Sequence, residues 1–305
     1  MFCADDPGDR KKPLSDEVVA SRAAILCQVA EDTWKNCCQN SPRPVYVIGS
    51  EVPVPGGAQE EEDIIIPTKP EDAARTIDIT RQYFYDAGLS NAWDRVVAVV
   101  VQPGVEYGDD RVFKYNRELA KGLSSKITGY DKLVYEAHST DYQTEADLKA
   151  LVEDFFCILK VGPWLTFAYR EALYALEAME IEIMGAGNES LSDLKDTLDR
   201  VMRDDPKHWE KYYSGTKDQQ FFKRKYSFSD RSRYYWPHKL ITPAKDKLFE
   251  NLRKNRIPLS LLSQFMPLQF YKVLNGTLAN DPKELVLDYI RIVAGIYSRA
   301  CGLSR

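Results

Sequence analysis

The chain has 305 residues, of which 44% are hydrophobic and 29% charged, the profile of a folded globular protein of one large or two ordinary domains. Its net charge of −5, from 41 basic and 46 acidic side chains, argues against a general nucleic-acid binder, whose affinity comes from neutralising phosphates. The longest wholly apolar run, Val96 to Val101, is far short of the ~20 residues of a membrane span. No charged-then-apolar leader opens the sequence, so a cytoplasmic protein with six reduced cysteines and no membrane partner is expected.

In chain order, short β-branched runs alternate with longer helical stretches. Val45 to Gly49 predicts a buried strand, and Pro70 to Ala87 the helix after it. Arg95 to Val101 predicts the second strand, followed by a helix from about Val112 to Lys126. Lys132 to Glu136 predicts the third, followed by a helix over Glu145 to Glu153. Phe155 to Val161 predicts the fourth. Its helix sets Leu165, Tyr169, Ala172, Leu176, Met179 and Ile183 on one face. A polar, helical insertion of about 191–255 then precedes a predicted fifth strand, Leu259 to Phe265. In the last helix Asp281 suits the N-cap, Pro282 the first turn and Glu284 a capping box, with Gly302 as the C-cap. Strands alternating with helices imply a mostly parallel sheet in a single domain over 1–305, closed as a barrel or open and doubly wound.

Polar residues follow four of the five predicted strands. Glu51 comes after the first, Gln102 and Glu106 after the second. Glu136, His138, Ser139, Thr140 and Asp141 close the third, and Lys160 and Gly162 the fourth. In parallel α/β folds the carboxyl ends of the strands are where ligands bind. Glu136 and Lys160 equally suit a structural ion pair between strand ends, and His138 a hydrogen-bonding role rather than a metal ligand. The insertion carries one basic, aromatic segment. Lys217 to Lys239 holds seven Lys/Arg against two Asp among Phe, Tyr and Trp residues. It suits a small anion or a partly buried aromatic face better than single-stranded nucleic acid. No G-x-G-x-x-G follows a strand and no G-x-x-x-x-G-K-[ST] loop is present, so no nucleotide cofactor is expected.

Several of these segments together resemble one family. Gly49-Ser-Glu-Val-Pro-Val-Pro-Gly-Gly57, Val101-Gln-Pro-Gly-Val-Glu106, Tyr135-Glu-Ala-His-Ser-Thr-Asp-Tyr-Gln-Thr144, Ile158-Leu-Lys-Val-Gly162 and Tyr226-Ser-Phe-Ser-Asp-Arg-Ser-Arg-Tyr-Tyr-Trp-Pro237 are similar to motifs of the GatZ/KbaZ family, in family order. The resemblance runs from about Cys3-Ala-Asp-Asp-Pro7 to the C-terminus. It implies a TIM (β/α)8-type barrel. Because the Cys-Ala-Asp-Asp-Pro motif follows the family's third strand, the barrel is expected to be incomplete here, with strands four to eight and the insertion before the last.

The family implies ketohexose-phosphate metabolism in galactitol, tagatose or N-acetylgalactosamine breakdown. One role it implies is a non-catalytic subunit supporting the activity and stability of class II D-tagatose-1,6-bisphosphate aldolase. The other is a D-tagatose 6-phosphate 4-epimerase. Epimerisation at C4 would proceed by metal-assisted retro-aldol cleavage of C3–C4 and re-formation on the opposite aldehyde face. A tagatose-6-phosphate kinase label also attaches to the family, and no nucleotide-triphosphate motif supports it. For that chemistry Glu51 and His138 would help hold a divalent metal or its water, Glu136 or Glu106 would move protons in a catalytic group with His138 and Lys160, and Lys160 and the Gly162 turn would meet phosphate. Gln102, Asp141, Gly162, Arg231 and Arg233 would contact the sugar phosphate.

Overall fold

The computed structural model describes residues 14–49 and 64–303. Helix α1 (Asp16–Cys37) starts at Ser15, whose hydroxyl accepts the Val18 N–H. Strand β1 (Tyr46–Ile48) follows, then α2 (Pro70–Asp86), which opens on proline, and the short α3 (Ser90–Trp93). Strand β2 is Val96–Val101. The residues after it form an antiparallel hairpin of β3 (Glu106–Tyr107) and β4 (Val112–Phe113). The helix expected from Val112 therefore begins five residues later, as α4 (Arg117–Ile127). Val112 and Phe113 suit a strand, and Asn116 supplies the cap by accepting the Glu118 and Leu119 N–H groups.

Strand β5 (Val134–Ala137) leads to α5 (Glu145–Glu153), closed at its start by a reciprocal Thr144–Asp147 capping box. Strand β6 is only Ile158–Leu159, and α6 (Pro163–Met184) follows. Everything beyond is helical among the described residues: α7 (Leu194–Asp204), α8 (Lys217–Tyr226), α9 (Ile241–Asn255), α10 (Leu259–Phe265), α11 (Pro267–Leu274) and α12 (Pro282–Ala300). The predicted fifth strand is thus the helix α10. Its sequence, Leu-Ser-Leu-Leu-Ser-Gln-Phe, has no β-branched residue, and Leu is a strong helix former. The helical spacing buries Leu262 and Met266 on one side. At the last helix Asp281 does accept two N–H groups, from Lys283 and Glu284. Gly302, with φ +68° just past the C-cap Cys301, terminates it.

The four strands form one parallel sheet in the order β1-β2-β5-β6, each step crossed by helix. This is an α/β fold with the sheet of a partial barrel. It does not close among the described residues, and neither β1 nor β6 has a second neighbour. Side-chain alternation sorts the sheet faces. Tyr46, Ile48, Val99, Val101, Tyr135 and Ala137 point into a core shared with α1, α2, α4 and α5. Val100, Glu136 and Ile158, matched across the register, lie on the opposite face. A second core is wholly helical and joins α6, α7, α9, α10 and α12. Helix α12 serves both, with Leu285 and Val286 in the helical core and Ala300 in the sheet core.

Gly49 marks a close approach at the end of β1. It has φ +143°, and a Cβ there would lie 2.8 Å from Val100 Cβ. Only glycine fits that conformation and that gap.

Candidate functional site

The carboxyl ends of β5 and β6 bring three of the predicted residues together. Glu136, His138 and Lys160 share one sheet face by period-two alternation across a paired register. Glu136 Oε1 lies 2.7 Å from His138 Nε2, and Lys160 Nζ is 3.5 Å from the same nitrogen. The imidazole hydrogen bond is the main cause holding the Glu136 carboxyl below its ordinary value, against a smaller opposing effect of burial. His138 is buried at 5% exposure, whereas Lys160 is open to solvent. Backbone knitting fixes their separation. Thr140 N–H and hydroxyl both donate to the Lys160 carbonyl, and Tyr297 of α12 donates its hydroxyl to the Thr140 carbonyl at 2.9 Å.

Glu106, on β3, is a second acid–base group at the same rim. It is 5% exposed, and its Oε1 accepts the Tyr107 N–H at 3.0 Å. Burial pushes its carboxyl from 4.5 up to about 7, with hydrogen bonds from Tyr107 and Ser139 opposing the rise. A group that titrates near neutrality can both give and take a proton there.

Asp141 is buried beside it. Desolvation raises its carboxyl to about 6, although Oδ1 accepts the N–H groups of both Gly162 and Trp164 at 2.9 Å. Asp141 is therefore the side chain that caps α6 from a distance, and the Gly162 N–H expected to meet phosphate is donated to it. Gln102 serves its own turn in a similar way, since its side-chain oxygen accepts the Gly104 and Val105 N–H groups.

The insertion returns to this rim. Arg233 lies close enough to Asp141 and Tyr107 to favour the ionised form of each. Its guanidinium donates to the Ser229 carbonyl and the Tyr234 hydroxyl, both at 3.1 Å. Arg231 is buried, with its guanidinium carbon 3.2 Å from the centre of the Tyr212 ring. Other cations of the segment are engaged inside the fold, Arg224 with Asp199 at 2.7 Å and Lys223 with Asp109 at 2.8 Å.

Glu51, the other expected metal ligand, lies outside the described residues. His138 Nε2 is engaged by Glu136 and Lys160, and no group of three His, Cys, Asp or Glu side chains among the described residues is placed to hold a metal. Among the described residues, only Glu136 offers a second anionic donor beside His138.

Sequence reasoning did not single out Tyr142, Asp109, Arg170 or Asp230, all of which shape the rim. Tyr142 and Asp230 do lie within two of the family-like motifs, and a strained backbone marks them and the neighbouring Ser139. Ser139, Tyr142 and Asp230 adopt φ values of +53°, +64° and +41°, an unfavourable choice for side-chain-bearing residues that clusters at functional sites.

These features define an α/β protein of partial-barrel type, with an acid–base and cationic cluster at the carboxyl ends of its parallel strands. The chain matches the family model described as D-tagatose-1,6-bisphosphate aldolase subunit GatZ/KbaZ-like over residues 1–302, and it belongs to that family. It is also similar to the crystal structure of a probable tagatose 6 phosphate kinase from Sinorhizobium meliloti 1021. That match has 41% sequence identity and a TM-score of 0.85, covering 99% of this chain and 71% of the other. No helix among the described residues is long and apolar enough to cross a membrane.

Proposed function

We propose that the chain is a ketohexose-phosphate-binding subunit that supports a class II D-tagatose-1,6-bisphosphate aldolase, in the cytoplasmic breakdown of galactitol, tagatose or N-acetylgalactosamine. The observation that carries this reading is the Glu136–His138–Lys160 cluster at the strand ends, with buried Glu106 and Asp141 beside it and Arg233 near enough to act electrostatically on Asp141. Cations suit a phosphate, and the carboxylates and imidazole suit hydroxyl and carbonyl groups of a sugar. An apolar stripe on α1, with Val18, Ile25 and Val29 exposed at helical spacing, supports association with another polypeptide.

A second reading, the 4-epimerase, is favoured by Glu106. A buried carboxyl titrating at about 7 suits removal of the C4 hydroxyl proton as C3–C4 breaks, and its return after the aldehyde has turned over. The Glu136–His138 pair would serve the proton on the other fragment.

Both readings meet in one experiment. D-tagatose 6-phosphate is incubated with the chain alone and a divalent metal, and followed by NMR. The aldolase activity of an added catalytic subunit is measured in parallel. The subunit reading expects unchanged tagatose 6-phosphate and a rise in aldolase activity. Fructose 6-phosphate formed by the chain alone would reverse the order of the two.

A further inference from the structure

The segment that delivers Arg233 to the rim is held by residues from three other elements, and those contacts converge on Phe228. Its N–H donates to the Asp109 carbonyl at 2.8 Å, and its carbonyl accepts the Tyr142 hydroxyl at 2.6 Å. Asp109, in the β3–β4 turn, also accepts the Ser227 hydroxyl at 2.6 Å and pairs with Lys223 at 2.8 Å. On the far side Arg170 of α6 pairs with Asp230 at 2.9 Å, both side chains being 1% exposed.

Tyr142 is the centre of this arrangement. It lies in the loop five residues beyond the end of β5, with φ +64°. Its ring lies tilted against Phe228 at 4.4 Å and meets Tyr107, Trp164 and Phe167 at 5.4 to 5.5 Å. Burial pushes its hydroxyl well above the ordinary range, so it remains a donor. Arg233 lies five residues beyond Phe228, and its guanidinium uses two of its five N–H donors on Ser229 and Tyr234 among the described residues.

We propose that Tyr142 and Asp109 are positioning residues that pin the Ser227–Arg233 strap to the strand ends, so that Arg233 is held ready for the anionic group of a phosphorylated ligand. The inference rests on the reading of the rim as a sugar-phosphate site. It adds which residues set the preference for the phosphorylated over the free sugar. Neither residue touches the ligand. Each acts by fixing the backbone on both sides of Phe228, because a guanidinium recognises phosphate through fixed, directional donors.

The test uses the full chain, wild type, Tyr142→Phe, Asp109→Ala and Arg233→Ala, plus Tyr142→Phe combined with Arg233→Ala. Binding of fructose 6-phosphate and of unphosphorylated fructose is measured by calorimetry, and amide hydrogen exchange is followed over 227–235. Losing one such hydrogen bond is expected to weaken fructose 6-phosphate about threefold to tenfold, with fructose affinity unchanged and faster exchange in the strap. In the Arg233→Ala background Tyr142→Phe should have no further effect, since the two act on one interaction. Equal weakening of both ligands, or full additivity with Arg233→Ala, overturns the proposal. So does faster exchange with wild-type affinity, which would leave the latch purely structural. Wild type failing to prefer fructose 6-phosphate over fructose would instead bring down the sugar-phosphate reading, and the inference with it.

Discussion

Glu106→Gln offers a quantitative test of the rim, because the two side chains are nearly isosteric and glutamine can still accept the Tyr107 N–H. In the folded chain burial raises the Glu106 carboxyl from 4.5 to about 7. A carboxyl whose folded value is raised binds its proton more tightly in the native state. Its contribution is therefore fully present below about pH 4.5 and is lost as pH rises through 7. At ~1.4 kcal/mol for each tenfold, ionising Glu106 in place costs roughly 3 kcal/mol of stability by pH 8. The glutamine variant does not carry that cost. Urea unfolding of both proteins at intervals from pH 4 to 8 reads the difference directly. The variant should gain on wild type steadily between about pH 4.5 and 7, by an amount on the order of 3 kcal/mol. Asp141 shifts by the same cause and sits close enough to raise Glu106 further. It is present in both proteins, so most of its own contribution cancels. A difference that stays flat across this pH range would refute the assignment of Glu106 as a buried, neutral-range acid.

Three other perturbations test the frame around the site. Asp230→Ala strands the buried Arg170 charge and is expected to cost about 3–5 kcal/mol in urea unfolding, with part of the loss recovered when Arg170→Met is added. Asp141→Ala removes the acceptor of the Gly162 and Trp164 N–H groups, and a loss of about 1–2 kcal/mol is expected from the capping term, read as a lowered thermal midpoint. Gly49→Ala drives a Cβ to 2.8 Å from Val100 Cβ at φ +143°; a cost of about 1–3 kcal/mol is expected, and a variant as stable as wild type would mean that β1 and β2 can separate without penalty.

The local signals in the sequence were strong where one chain segment decides its own structure. The unbroken apolar run Val96 to Val101 could only be a covered strand, and β2 is that run. Thr144 with Asp147, and Asp281 with its following proline, are helix starts because the partner atoms lie within four residues. The family motifs rest on the same local runs, which is why kinship could be read directly from them.

Sequence periodicity failed where two elements share a composition. Leu259 to Phe265 mixes apolar with polar residues and lacks β-branched side chains, and burial of Leu262 and Met266 in the helical core accompanies the helix that its leucines favour. The chemistry of the rim is a further step from the sequence. That Gly162 gives its N–H to Asp141 and that Arg224 and Lys223 are engaged by Asp199 and Asp109 are contacts between distant segments, and so is the placing of Arg233 near enough to act on Asp141. Tyr142 and Phe228 are 86 positions apart, and Asp109 and Ser227 are 118 apart. No local pattern encodes such pairs. The sequence by itself determined the four parallel strands, several helix starts and the family, but not the β3–β4 hairpin or helix α10. Only the tertiary structure decided which polar groups are spent on holding the fold and which face the rim, because burial and partnership depend on what the rest of the chain places nearby.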